Sequence, residues 1–216
     1  MATRKLPGQD AWEELGDALN IERPADIDSR PQIDPGLPAK FHKALMDNTG
    51  VIRDVLRERR GLTEATLSRF QVGWDGDRVT VPVYDEFTEL VNIRMYKWNS
   101  YEDQTKMVNY TDVLGNAFGE DRIYGMENLT NPDIQEVLWC EGEWDRLIAE
   151  QNEIPACTAT AGADNFRLEW FKLIKKKKRI YVCYDNDDAG RRAADYMIDN
   201  LRGSLEIFAV NWPKDW

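Results

Sequence analysis

From residue 134 to the end, short continuous apolar runs alternate with stretches of helical period. Residues 137–141, 154–160, 179–185 and 205–212 read as strands; 144–151, 165–174 and 189–201 read as helices. In the second helix Phe166, Trp170, Leu173 and Ile174 share a face. In the third Ala193, Met197 and Leu201 recur every four residues, and Gly203 supplies the stop. Strands apolar on both faces, alternating with helices, predict a mainly parallel sheet covered by helices. Upstream the texture differs. Residues 41–60 carry a helical stripe of Phe41, Leu45, Ile52, Val55 and Leu56, closed by Gly61, and Thr63 is placed to cap a short helix through Phe70. Residues 78–84 and 89–98 read as an antiparallel hairpin around a turn at 85–88, followed by a polar loop at 99–106. Residues 10–20 read as a short amphipathic helix, and 21–38, with four prolines, as an arm or linker. The expected class is α+β, divided into 1–38 (helix and Pro-rich arm), 39–131 (a smaller mixed α+β subdomain with the hairpin) and 132–216 (the α/β subdomain). No internal repeat is visible, and the one low-complexity segment is the lysine run at 175–178, which reads first as a solvated turn and second as a non-catalytic nucleic-acid contact.

Composition narrows the chemistry. Among 216 residues, 28 Lys+Arg face 39 Asp+Glu, a net charge of −11, which taken alone argues against a nucleic-acid or anionic-membrane partner. Hydrophobic residues at 42%, with 8 Trp, suffice for a core. The apolar runs are too short to span a membrane, and residues 1–8 hold no apolar signal core, so a cytoplasmic protein is expected. Cys140, Cys157 and Cys183 are isolated, with no CxxC pair, and read as buried thiols. His42 is the one histidine, which excludes His-rich metal sites. Carboxylate and metal chemistry remains.

The acids fall in a telling place. Ligands of open α/β sheets bind beyond the carboxyl ends of the strands. The first predicted strand runs into Glu141-Gly142-Glu143-Trp144-Asp145, and the third into Asp185-Asn186-Asp187-Asp188-Ala189-Gly190. Glu141, Asp185 and Asp187 would converge at one sheet edge, with Asp145 a helical turn beyond Glu141. Crowded carboxylates need a compensating cation, and Mg²⁺ favours such oxygen donors. Gly142 and Gly190 suit a close approach of phosphate or metal to backbone. Each Asp taken singly is equally suited to capping a helix; acid-terminated strands at the same edge call for a common explanation.

Glu141-Gly142-x-x-Asp145 together with Asp185-x-Asp187-x-Ala189-Gly190-Arg191 resembles the two motifs of the TOPRIM domain, shared by DnaG-type primases, type IA and II topoisomerases and some nucleases. Upstream, Arg60-Gly61-Leu62-Thr63, Val81-Pro82-Val83-Tyr84-Asp85, Arg94, Lys106-Met107-Val108-Asn109 and Ile123-Tyr124-Gly125 resemble the opening part of the DnaG-type primase RNA-polymerase domain, with a phage- or plasmid-like look. The resemblance covers about residues 41–216. It lacks the family's zinc-ribbon cysteines and a helicase P-loop, and it has Glu120-Asp121 where a Lys often precedes the Leu-Tyr-Gly element.

The resemblance implies a primase core that makes short RNA primers on single-stranded DNA by nucleotidyl transfer. Catalytic roles fall on Glu141, Asp145, Asp185 and Asp187. Glu141, Asp185, Asp187, Asp188 and, near the chain end, Asp215 would be ligands for two Mg²⁺ or Mn²⁺ ions. Arg94, Lys106, Asn109 and Arg191 would contact nucleotide or template. The implied partners are single-stranded DNA, NTPs, and a replicative helicase or zinc-binding domain located elsewhere, with no membrane; the cell is a bacterial host if the chain is phage-encoded. The ending at 211–216 reads as that of an excised domain or a short primase. A TOPRIM nuclease and a non-catalytic single-strand-binding replisome module are the rival readings; the chain is too short for a topoisomerase. The net charge then reads differently. Residues 132–216 hold 16 acids and 12 bases, a net of −4 that two divalent ions would cancel, whereas the −6 of residues 61–131 has no such account.

Overall fold

The computed structural model describes residues 32–98, 106–160, 167 and 170–213. The helix expected at 10–20, most of the proline-rich arm and Asp215 lie outside them.

The first layer starts with α1 (Leu37–Met46), whose first turn contains Pro38, where a missing N–H costs nothing. The single helix expected over 41–60 is broken. Asn48 accepts a hydrogen bond from the Val51 amide at 3.3 Å and so starts a new turn, α2 (Thr49–Val51), which widens into a π-helical stretch at Ile52–Arg57. The cap outcompetes continuation of the helix, and Leu45, Ile52 and Leu56 still reach one core. Gly61 ends the segment with φ +68°. Thr63 caps α3 (Glu64–Arg69) by accepting from the Thr66 amide at 3.2 Å, as the sequence predicts.

The predicted hairpin is β2 (Val79–Tyr84) and β3 (Leu90–Tyr96), and its turn is closed by Asp85, which accepts from the amides of Phe87 and Glu89. Two strands too short for a visible pattern flank it, β1 (Gly73–Trp74) and β4 (Met107–Asn109), giving an antiparallel sheet in the order β1-β2-β3-β4.

The second sheet has the order β5-β7-β6-β8-β9, built from β5 (Ile123–Tyr124), β6 (Glu136–Cys140), β7 (Ala156–Ala159), β8 (Arg179–Cys183) and β9 (Glu206–Ala209). Only the edge strand β5 is antiparallel to its neighbour; the other pairings are parallel. α4 (Met126–Thr130) follows β5, and α5 (Glu143–Gln151), α6 (Phe171–Ile174) and α7 (Asp188–Leu201) follow β6, β7 and β8. Trp139, Ile180 and Val182 from the sheet pack with Trp170, Ile174, Ala193, Met197 and Leu201 in its main core. Gly203, at φ +86°, follows the Arg202 C-cap of α7, the stop expected there.

Helix α5 is shared between the two sheets. Trp144 and Leu147 enter the core of the antiparallel sheet, whereas Ala149 packs on Cys140 and Ala156 of the parallel sheet. Its C-terminal end is tied back to the first layer. The Gln151 side chain accepts from the Thr63 amide at 2.8 Å and the Thr66 hydroxyl at 2.9 Å and donates to the Gly61 carbonyl at 3.0 Å. Glu150 pairs with Arg69 at 2.8 Å.

On its other side the fully buried Arg146 donates to the Ala156 carbonyl at 3.0 Å, pairs with Glu127 and lies 3.9 Å from the Tyr124 ring centroid. This packing fixes Gly125, which has φ +104°; a β-carbon there would sit 2.5 Å from the Ala156 oxygen and 2.6 Å from Arg146 Nε. Gly125→Ala is therefore expected to lose about 3 kcal/mol, from left-handed backbone strain of about 1–2 kcal/mol and overpacking of about 1–3 kcal/mol. Gly76→Ala, at φ +111° but with open space around it, should lose only the strain part. Urea unfolding of the two variants measures the difference.

Candidate active site at the acidic sheet edge

Strands β6 and β8 are hydrogen-bonded neighbours whose last residues, Cys140 and Cys183, lie directly opposite one another. The chain beyond each is acidic, so Glu141 and Asp185, 44 residues apart in sequence, meet at the carboxyl edge. The Asp185 amide donates to Glu141 Oε2 at 2.7 Å. Asp145 sits one turn into α5 and accepts from the Gly142 amide at 3.1 Å, capping the helix. Asp187 is the N-cap of α7 and accepts from the Gly190 amide at 2.7 Å. The capping reading of Asp145 and Asp187 is thus correct, and it leaves each a second carboxylate oxygen. Gly190 is required by the protein itself rather than by a ligand: a β-carbon there would lie 2.3 Å from the Asp185 carbonyl oxygen.

These acids feel each other. Burial pushes the Glu141 carboxyl above its ordinary value, and the charges of Asp185, Asp187 and Asp145 push it further, against the Asp185 amide that holds it down. Asp145 is raised by burial and by Asp185, and is opposed by its own capping bonds and by Arg60. Asp188 points to a different use. It is exposed, it pairs with Arg191 at 2.5 Å, and that pairing lowers its pKa. Arg191 also donates to the Asn186 carbonyl and side chain at 3.1 and 3.0 Å, so it braces the Asp185–Asp188 loop.

The cations expected to hold substrate divide. Lys106 is exposed at the start of β4. Arg94 is not exposed; it forms an ion pair with Glu143 at 2.6 Å, and the two side chains are 11% and 8% exposed. Asn109 is half-buried, accepts from both Arg94 and Asn92, and so belongs to the same group. The sequence reading gave no role to Arg60, whose guanidinium lies 5.2 and 5.4 Å from the ring centroids of Tyr96 and Trp144, donates to the Tyr96 hydroxyl at 2.9 Å and acts on Asp145. Nothing local marks it, because Tyr96 and Trp144 lie far along the chain and residues 42–69 contain no Phe, Tyr or Trp. Within the lysine run, Lys177 is buried, not solvated: it donates to the carbonyls of Asn131 and Ile134 at 2.7 Å each, and burial lowers its pKa to about 8. His42 bonds the Val72 carbonyl at 2.7 Å. Of the three thiols Cys140 and Cys157 are buried and Cys183 is half-buried.

Among the described residues no three His, Cys, Asp or Glu side chains already form a metal cage. The donor set still suits Mg²⁺, which binds through one or two carboxylates plus water and substrate phosphates rather than in an all-protein cage. Burial, with the charge of Asp185 added to it, raises both Glu141 and Asp145, and a bound cation would relieve that condition.

A Toprim-like family model matches residues 138–216. The chain is 31% identical over 102 residues to an uncharacterized protein, MG010, of Mycoplasma genitalium, and the match covers 43% of this chain and 44% of that one. The chain thus spans less than half the length of that relative. Among solved structures, the Aquifex aeolicus primase (zinc-binding and RNA polymerase domains) superposes with a TM-score of 0.66 at 17% identity, covering 100% of this chain and 58% of that one. The DnaG primase catalytic domain bound to ssDNA gives 0.64 at 18% identity, covering 96% and 74%. The fold of the described chain is that of a DnaG primase catalytic core with its Toprim sheet. No helix among the described residues is long and apolar enough to cross a membrane.

A pH titration tests the crowding. A carboxyl raised in the folded state makes that state bind more protons than the unfolded chain, so stability falls as pH rises from the ordinary carboxylate value through the raised one. Asp185→Asn removes one of the charges that raise Glu141 and Asp145. Without divalent ions it should flatten that fall and raise the melting temperature at pH 7 by about 2–4 °C per kcal/mol relieved. Asp85, raised to about 6 by burial, contributes equally to both proteins, so their difference isolates the sheet edge.

Proposed function

We propose that the chain is the catalytic core of a DNA primase, joining ribonucleotides on a single-stranded DNA template. The observation that carries this is the meeting of Glu141 and Asp185 at the ends of adjacent parallel strands in a fold of this kind. In this reading residues 39–131 and 132–216 act as two subdomains with the reaction between them.

Glu141, Asp185 and Asp187 would hold two Mg²⁺ or Mn²⁺ ions, with Asp145 beside them. When bound, the ions acidify the primer 3′-hydroxyl and offset charge on the departing pyrophosphate. The chain's own part is positional. Capping bonds fix Asp145 and Asp187 on helix starts, and the Asp185 amide orients Glu141. Arg60, stacked on Tyr96 and Trp144 and committed to one hydroxyl, keeps donors for a phosphate oxygen. Lys106 adds an exposed cation on the antiparallel sheet. Arg191 braces the loop that carries Asp185 and Asp187. None of these is a protein general base, in keeping with activation by the ions. A solved relative of this fold is described as bound to ssDNA, and another contains a zinc-binding domain. We take single-stranded DNA and NTPs as the partners of this chain, and a zinc-binding domain or a replicative helicase as partners supplied elsewhere.

The test is incorporation of labelled NTPs on single-stranded DNA with Mg²⁺ or Mn²⁺, both de novo and from a supplied RNA end. The intact chain should make extended products. Asp185→Ala/Asp187→Ala should lower the rate by at least about 100-fold, as expected when an electrostatic element of a site is removed. Shortened template without new product would point instead to a nuclease, and DNA binding unchanged by the double variant, with no product from either end, to a non-catalytic module.

A further inference from the structure

The first of the two variable positions in the first acidic motif holds Glu143, and the structure gives it a partner 49 residues upstream. Arg94 lies in the middle of β3, opposite Val81 on one neighbouring strand and Asn109 on the other. Its Nε donates to Glu143 Oε1 at 2.6 Å and its Nη1 to Asn109 Oδ1 at 2.5 Å, and Asn109 Oδ1 also accepts from the fully buried Asn92 at 2.8 Å. Two residues along the same strand, Tyr96 meets Trp144 edge-to-face at 5.1 Å. Residues 94 and 96, on one face of β3, therefore grip residues 143 and 144, the first turn of α5. That turn lies between Glu141 and Asp145.

An ion pair so little exposed gives little stability over well-packed apolar residues, because both charges lose most of their hydration. Its carboxylate also lies at a helix N-terminus, where the backbone already favours it. What an apolar pair would not supply is directional register between two sheets. We infer that Glu143 and Arg94 are positioning residues: their buried ion pair sets the first turn of α5, and with it the acids at 141 and 145, against the antiparallel sheet. This rests on the reading of that edge as the metal-binding site. It assigns Arg94 to holding the site together, in place of the substrate contact expected from sequence.

The experiment is a double-mutant cycle on the full chain with Arg94→Met, Glu143→Leu and the double variant. Hydrogen exchange of the amides of residues 142–146, Mn²⁺ binding followed by the electron paramagnetic signal of free Mn²⁺, and KM and kcat for NTP incorporation are measured. Each single variant should speed exchange in that turn and weaken Mn²⁺ binding by about 10–100-fold, the range for residues that orient metal ligands. The double variant should recover a large part of both, since neither buried charge is left alone. Arg94→Lys and Glu143→Gln stand in if a single variant does not fold, with the same direction expected. A raised KM for NTP in Arg94→Met, with exchange and Mn²⁺ binding unchanged and no recovery in the double variant, would make Arg94 a substrate contact and overturn the inference. If the intact chain neither binds Mn²⁺ nor incorporates nucleotide, the primase reading fails, and the exchange cycle still decides whether the pair fixes the helix start.

Discussion

Helix α5 serves two cores at once, and the rest of the arrangement depends on that. Its Trp144 and Leu147 complete the packing of the antiparallel sheet, and Ala149 lies on the parallel one. Removing it would expose apolar surface in both. Polar ties repeat the pattern at each end: Glu143 with Arg94 at the start, Gln151 and Glu150 with Thr63, Thr66 and Arg69 at the finish. Between them Arg146 closes the contact with β7 of the parallel sheet and with α4. A nine-residue helix anchored on so many sides has little freedom to rotate or slide. The acids at its N-terminal end inherit that rigidity.

Rigidity matters because the acids resist being together. Repulsion from the Asp185 charge favours Glu141 swinging away, but the Asp185 amide holds one of its oxygens. Asp187 and Asp145 are held by the helix starts they cap. Burial first, and the neighbouring charges after it, raise the affinity of Glu141 and Asp145 for protons, and a divalent cation is the natural competitor for those protons. Stability spent on such an edge is the usual trade of a functional site against the fold that supports it.

Much of this was legible in the sequence where local signals agree with global ones. Parallel strands apolar on both faces, the helix at 189–201 with its glycine stop, and the threonine cap at residue 63 all follow from spacing and residue type. The convergence of Glu141 and Asp185 follows from the rule that neighbouring parallel strands present the same end. Less legible were features decided by tertiary contact. The stripe over 41–60 gave no warning that Asn48 would cap a new turn inside it. Strands β1, β4 and β5 have two or three residues each, too few to alternate, and exist because longer neighbours offer them hydrogen bonds. Arg94 reads as a nucleotide or template contact because its partner Glu143 lies in the other half of the chain. Lys177 read as solvated because three lysines surround it, although the carbonyls of Asn131 and Ile134 take its charge.

The central claim is that the edge formed by Glu141 and Asp185 is where divalent metal and nucleotide come together. Crystals grown with Mn²⁺ and a non-hydrolysable ribonucleoside triphosphate test it most directly, through anomalous scattering from the metal. The account predicts Mn²⁺ in contact with carboxylate oxygens of Glu141 and Asp185 and with the triphosphate. Nucleotide bound with Mn²⁺ at another acidic cluster, such as Asp75 and Asp77, and none at that edge would contradict it.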